Sequence, residues 1–306
     1  MIDLHSHILP GLDDGPSGLE ESLDMCRVAY GDGIRTIVAT PHMLDGVYRA
    51  RRAAVLSRTR ELNAALSSVF PVCPAGRRLP HSAPDSSHSE LRTPNSELDS
   101  SHSALRTRNS TLDSSDSALR SPHSEFGSNS ELVVLPGADI HLAEDLLHPS
   151  SRKQLVTVGD RGKYLLVEFP SQVIPPMAER ILFRLIGQGI VPIITHPERN
   201  LEIGRKPSRY YEMIRMGCLG QVTAMSLTGG FGPEARRLAE ALLIRRLVHL
   251  IASDAHSTDL RPPVLTPAVT AAAKLVGANE AARMVIEYPQ AVLDGEKPDL
   301  PPPIPI

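Results

Sequence analysis

IVPIITHPE, residues 190–198, is a short apolar run that ends on a histidine, His196. Its β-branched residues suit a pleated surface, and the lack of polar alternation fits a strand covered on both faces. The same pattern recurs along the chain. MIDLHSH (1–7) ends on His5 and His7, and IRTIVATPH (34–42) ends on His42. LVVLPGADI (132–140) contains Asp139, and YLLVEFP (164–170) carries Glu168 near its end. GCLGQVTA (217–224) is a further strand, and VHLIASDAH (248–256) closes on Asp254 and His256.

Helical patterns separate these strands. Leu19, Leu23, Cys26 and Tyr30 fall on one helical face, and Ser17 with Glu20 reads as its capping box. Further helices are expected around Ala50–Ser67, over Met177–Gly187, near Tyr210, over Pro233–Arg246 and from Pro267. Seven strands alternating with helices predict an α/β fold, a distorted (β/α)7 TIM-like barrel in one domain spanning 1–306. The end of the chain, 296–306, is a proline-rich tail that reads as a frayed terminus.

One segment breaks the alternation. SHSELRTPNSELDS, SHSALRTRNSTLDS and SDSALRSPHSEFGS follow one another from Ser87, three copies of a fourteen-residue unit. A degraded copy, RLPHSAPDS, precedes them. Each unit has only two large apolar residues among many Ser, Asn, Asp and Pro, too few to offset the entropy of ordering. Residues 71–131 therefore read as a disordered insertion. Its histidines His81, His88, His102 and His123 read as part of a solvated repeat rather than a metal-binding tail.

Composition excludes several classes. A net charge of −3 gives no electrostatic case for nucleic acid or an anionic membrane. No run approaches eighteen apolar residues, and MIDLHSH has neither the basic nor the apolar region of a signal peptide. A cytoplasmic protein without membrane insertion is expected, and the oligomeric state is left open. Three widely spaced cysteines, Cys26, Cys73 and Cys218, suit a reducing compartment and buried packing. None is followed six positions later by the arginine of a cysteine-based phosphatase; those positions hold Asp32, Leu79 and Ala224. No GxxxxGK[ST] loop occurs.

Side chains at i and i+2 of a strand share a face, so His5 and His7 stand together, as do Asp254 and His256. Five histidines and several carboxylates thus gather at the C-terminal ends of strands, where β/α barrels build their sites. Buried unpaired charges are costly, and a metal compensates several at once. His141, His148 and His249 lack this placement and are left out, although His141 shares the face of Asp139.

HSHILPGLDDG, IVATPH, GADI, VEF, THPER and IASDAH with RPP resemble, in order, the polymerase-and-histidinol-phosphatase (PHP) superfamily. Within it, LDDG, HPER and SDAHxxDxRPP most resemble the bacterial manganese-dependent protein tyrosine phosphatases of the CpsB/CapC capsule type. The resemblance implies a distorted barrel holding three divalent ions, manganese first, with iron, zinc or cobalt as alternatives. It assigns His5, His7, Asp139 and Asp254 to one ion; Asp139, Glu168 and His196 to a second; and Asp14, His42 and His256 to a third. Asp13, beside Asp14, is a further contact to weigh. Arg199 and Arg261 would grip the phosphate. One residue departs from the pattern: Asp139 stands where the family usually has Glu, which puts a backbone shift or a weaker second site in prospect.

The implied chemistry is direct hydrolysis of phosphotyrosine by a water shared between metal ions, with no phosphoenzyme. His42 or His256 would assist a phenolate leaving group whose conjugate acid has a pKa of about 10. The implied substrate is the tyrosine-rich tail of a capsule or exopolysaccharide tyrosine autokinase. Two alternatives stand beside it: a histidinol-phosphatase-like enzyme for small phosphomonoesters, and a weakened scaffold that binds the kinase.

Overall fold

The structure, a computed structural model, describes residues 1–43, 48, 50–69, 131–148 and 153–306. The repeat segment lies, apart from Glu131, outside the described residues.

The seven expected strands are all present, and two are broken in the middle. The strands are β1 (Ile2–Ser6), β2 (Thr36–Ala39), β3 (His42–Met43), β4 (Val133–Pro136), β5 (Asp139–His141), β6 (Tyr164–Glu168), β7 (Val191–Thr195), β8 (Leu219–Thr223) and β9 (Leu250–Ala252). Every pairing is parallel, in a sheet ordered β1-β2-β4 and a second ordered β3-β5-β6-β7-β8-β9. β2 and β3 are two halves of IRTIVATPH, parted at Thr40-Pro41, where proline has no N–H to give the ladder. β4 and β5 are likewise halves of one run, parted at Gly137-Ala138. A Cβ on Gly137 would meet Val38 Cγ1 at 2.6 Å, so only glycine lets β4 lie this close to β2. The first strand also meets the last: Ser6 bridges Ala255, and the backbone N–H groups of His7 and Asp254 donate across at 2.8 Å.

Helices cover the strands with faces set by helical spacing. Ala178–Gly187 buries Ala178, Ile181, Leu182 and Leu185. Helices near the other expected places span Leu19–Gly31, Arg52–Val69, Pro207–Met216, Gly232–Ile244 and Thr266–Val276. Short helices at Ala224–Thr228, Ala278–Arg283 and Glu287–Asp294 were not legible in the periodicity. The expected capping box is different in detail. Gly18 is the N-cap and offers no side chain, while Glu21, not Glu20, accepts from the N–H and hydroxyl of Ser17. The tail is not frayed. Leu300 packs against the core, and Ile304 N–H donates to Arg245 O at 2.9 Å.

Both described cysteines are buried, and burial pushes the Cys26 and Cys218 thiols up to about 12. They are packing residues, not nucleophiles. His249 is also buried; its Nδ1 accepts from Gly220 N–H at 3.1 Å, and burial pushes its pKa down to about 4. The unfolded chain binds a proton near pH 6.5, so stability present at neutral pH is lost as pH falls from 6.5 towards 4. Linkage puts the loss at roughly 2 kcal/mol by pH 5 and roughly 3 by pH 4. In chelated protein, the stability gap between wild type and His249→Asn is expected to narrow by that amount between pH 7.5 and 5. Urea melts at the two pH values read it, and a constant gap would refute it.

Candidate metal centre

Most ligand candidates come from the C-terminal end of a strand or the loop after it, while His42 and Asp139 open the short strands β3 and β5 that continue β2 and β4. β3 and β5 pair His42 with Asp139, and β5 and β6 pair His141 with Glu168, so these side chains share a rim. His196 and Asp254, at the ends of β7 and β9, have φ of +36° and +53°. Non-glycine residues held left-handed at strand ends mark backbone constrained by the site.

The nitrogen that each imidazole offers is set from behind. His5 Nδ1 is 2.8 Å from Gln221 Oε1, His7 Nδ1 is 2.6 Å from Asp13 Oδ2, and His256 Nδ1 is 2.9 Å from the Asp254 carbonyl. These partners only accept, so each Nδ1 carries the proton and each Nε2 presents its lone pair. Burial pushes the pKa of His5 and His7 down, and that of His196 to about 3, keeping the rings neutral. Neutral imidazole is the form that binds metal.

Around these nitrogens sit the carboxylates. Asp139 Oδ2 is 3.6 Å from His5 Nε2 and 3.9 Å from both His42 Nδ1 and His196 Nε2. Glu168 Oε1 is 3.5 Å from His196 Nε2, and its Oε2 is 3.5 Å from His42 Nδ1. Asp254 Oδ1 lies 3.4 Å from His5 Nε2 and 3.5 Å from His7 Nε2. Asp14 Oδ1 is 3.4 Å from His256 Nε2 and 3.9 Å from His42 Nε2. Atoms bound to one ion at about 2.0–2.2 Å lie roughly 3–4 Å apart, which matches these separations.

Among the described residues, three sets of donor atoms lie mutually within 4.8 Å: His7, Asp14, His42 and His256; His5, His7 and Asp139; and His42, Asp139 and Glu168. The grouping differs from the one expected. His7 also faces the Asp14 set, and His42 stands between two sets with one nitrogen toward each. Asp13 is not a ligand candidate here, because its carboxylate is used on His7 and on the N–H groups of His42 and Gly15.

The donor set fits divalent cations. Asp139 Oδ2 is buried with no hydrogen-bond partner, and burial followed by the charges of Glu168 and Asp254 drives its pKa well up. Three carboxylates crowded on neutral imidazoles leave an uncompensated negative charge that a cation would settle.

Asp254 is the hub. Its Oδ2 accepts from Arg199 at 2.5 Å and forms an ion pair with Arg261 Nη2 at 2.6 Å. Burial opposes its ionisation, but His5, His196 and the two arginines outweigh that and hold it well below the usual carboxylate range. The arginines expected to face a phosphate thus converge at the rim, each about a quarter exposed.

Three contributors escaped the motif reading, and Asp13, weighed there as a contact, instead fixes an imidazole. Gln221 does the same for His5, and Asp3 accepts from Ser253 Oγ and from the N–H groups of Ser253 and His5. Tyr48 stacks on His42 with ring centres 5.5 Å apart. Gln221 and Asp3 left one usable trace, a polar residue inside an otherwise apolar strand. His141 Nδ1 lies 3.9 Å from Glu168 Oε2, beside the cluster, and His249 stays away from it.

The family model for capsular polysaccharide synthesis, CpsB/CapC, matches residues 1–71 and 91–294. The tyrosine-protein phosphatase YwqE of Bacillus subtilis is 31% identical over 261 residues, covering 85% of this chain and 79% of that protein. The tyrosine-protein phosphatase CpsB of Streptococcus pneumoniae is 27% identical over 298 residues, covering 96% and 98%. One solved structure, from a set described as YwqE from Bacillus subtilis and CpsB from Streptococcus pneumoniae, unique metal-dependent tyrosine phosphatases, matches with a TM-score of 0.77 at 29% identity, covering 100% of this chain and 99% of that one.

Proposed function

Because this chain belongs to the capsular polysaccharide synthesis CpsB/CapC family, we propose that it is a metal-dependent phosphotyrosine-protein phosphatase. The observation that carries the reading is the cluster of His5, His7, His42, His196 and His256 with Asp14, Asp139, Glu168 and Asp254 beside a convergent arginine pair. Three divalent ions, manganese first, are the proposed occupants. Ions held there supply Lewis-acid polarisation of the phosphoryl group and activation of the attacking water at neutral pH.

The remaining work belongs to the chain. Arg199 and Arg261 bind and orient the phosphoryl oxygens, a geometry suited to planar guanidinium groups. Both imidazoles proposed to serve the leaving oxygen are engaged in the cluster: His256 has Nδ1 on the Asp254 carbonyl and Nε2 toward Asp14, and His42 has Nε2 toward Asp14 and Nδ1 toward Glu168, so either serves it only by turning a nitrogen away from its donor set. The demand is modest, since phenolate leaves far more easily than an alkoxide. We read the substrate as the phosphotyrosine tail of a bacterial tyrosine autokinase, met in the cytoplasm. Among the described residues no helix is long and apolar enough to cross a membrane. The two parallel sheets are read as one distorted (β/α)7 barrel, supported by the Ser6–Ala255 bridge between its first and last strands.

The test is hydrolysis of a phosphotyrosine peptide against histidinol phosphate, with and without manganese after chelation. The peptide is expected to be preferred, with activity lost on chelation and restored by the metal. Preference for the small substrate would favour a phosphomonoesterase, and kinase binding without hydrolysis a scaffold.

Deleting residues 78–128 is expected to leave peptide hydrolysis within about twofold of wild type. Ser67 Oγ and Glu131 Oε1 lie 3.5 Å apart, so the described chain ends on either side already meet. Shortening a long loop changes its closure entropy little. Loss of more than tenfold in the same assay would give the repeat a role in the reaction.

A further inference from the structure

Phe231 is used by no step above, yet it touches both arginines. The Arg199 Cζ lies 4.8 Å from its ring centre and the Arg261 Cζ lies 5.7 Å from the same ring. The turn that delivers the ring is built for tightness. Gly229 and Gly232 have φ of +90° and +88°, and a Cβ on Gly230 would come 2.7 Å from Met225 Cε. Two guanidinium groups brought together repel each other. Here they share one carboxylate oxygen, Asp254 Oδ2, and the face of one aromatic ring. An aromatic face carries negative potential and attracts cations. Arg261 Nε is buried with no hydrogen-bond partner, so the pair keeps donor capacity in reserve.

We propose that Phe231 is a positioning residue that holds Arg199 and Arg261 as a pair while a phosphoryl group competes with Asp254 for their N–H donors. Asp254 alone cannot do this, because its Oδ2 is the contact an arriving phosphate would replace. The ring makes no hydrogen bond and keeps its hold through that exchange. The inference rests on the phosphatase reading for the identity of the anion.

The test uses the full chain loaded with manganese, and titrates inorganic phosphate by calorimetry beside steady-state hydrolysis of p-nitrophenyl phosphate. F231L is expected to weaken phosphate binding about five- to tenfold and to raise KM by a similar factor, with metal content unchanged. F231Y and F231W should restore both to within about twofold. Replacement of Phe231 by pentafluorophenylalanine keeps the shape but inverts the ring's potential, and should lose as much as F231L. That variant decides the matter if leucine disturbs the turn. Wild-type phosphate affinity in the fluorinated or leucine variant would overturn the proposal, as would an equal loss in F231Y. Absence of wild-type hydrolysis would instead count against the phosphatase reading, while the phosphate titration still decides the role of Phe231.

Discussion

Asp254→Asn is expected to cut phosphotyrosine hydrolysis about 10³-fold and to lower the metal content of the purified protein. Removing one preorganised electrostatic group from a reacting centre costs about 10²–10³ in rate, and the loss of a proposed metal contact places Asp254 at the upper end. Asn is the informative replacement because it keeps the shape and tolerates the left-handed backbone at this position, φ +53°. The carboxylate faces lone pairs on one side, His5 Nε2 and His7 Nε2, and guanidinium donors on the other. An amide cannot satisfy both. With its NH2 toward the arginines it sets donor against donor, and with its NH2 toward the imidazoles it fills the space of the cation. The loss should therefore exceed that of Arg199→Ala or Arg261→Ala, each expected near 10²-fold, and should not add to them. Elemental analysis and peptide hydrolysis on the same preparations read both effects. Wild-type metal content with activity within tenfold would remove Asp254 from the centre.

The strands and most of the ligand set could be read from the sequence for one physical reason. A strand covered on both faces places few polar side chains away from its ends, so His42, His196 and Asp254 stand out against their apolar runs. What fixes those ligands was hidden, because it comes from far along the chain. His5 meets Gln221 across 216 positions, and Asp3 meets Ser253 across 250. No local period encodes such pairs. Asp13 and Asp14 are adjacent and chemically identical, and only the turn geometry gives one to His7 Nδ1 and the other to His256 Nε2. The two broken strands show a similar limit. Pro41 and Gly137 were visible, but their effect, one sheet ending and another beginning, depends on the strands placed beside them. Phe231 is the extreme case: a single aromatic among glycines acquires meaning only when Arg199 and Arg261 arrive from two other loops.

Asp139 is the one site residue that departs from the family pattern. One methylene fewer than Glu puts a shifted backbone or a weaker second site in prospect. In this chain β5 pairs in register with both neighbours, His42 with Asp139 and Asp139 with Leu166. Its Oδ2 already lies within ligand-sharing distance of three imidazoles, while Oδ1 accepts from Thr195 Oγ1 at 3.3 Å. The side chain reaches from the first residue of β5, directly after the break at Gly137-Ala138. Asp139→Asn is therefore expected to abolish hydrolysis by about 10³-fold or more and to remove at least one ion per chain, because it leaves an uncharged group at the point where the donor sets meet. Asp139→Glu should keep metal content and hold activity within about tenfold. Its extra methylene must be absorbed in a packed site, a strain of about 1 kcal/mol that Glu168 and His42, both partly exposed, can relax by moving outward. Elemental analysis after purification without added metal, paired with peptide kinetics, separates the cases. A Glu variant with clearly more metal and more than tenfold higher activity would mean that Asp139 limits this site. An Asn variant that keeps its metal would place the centre elsewhere on the rim.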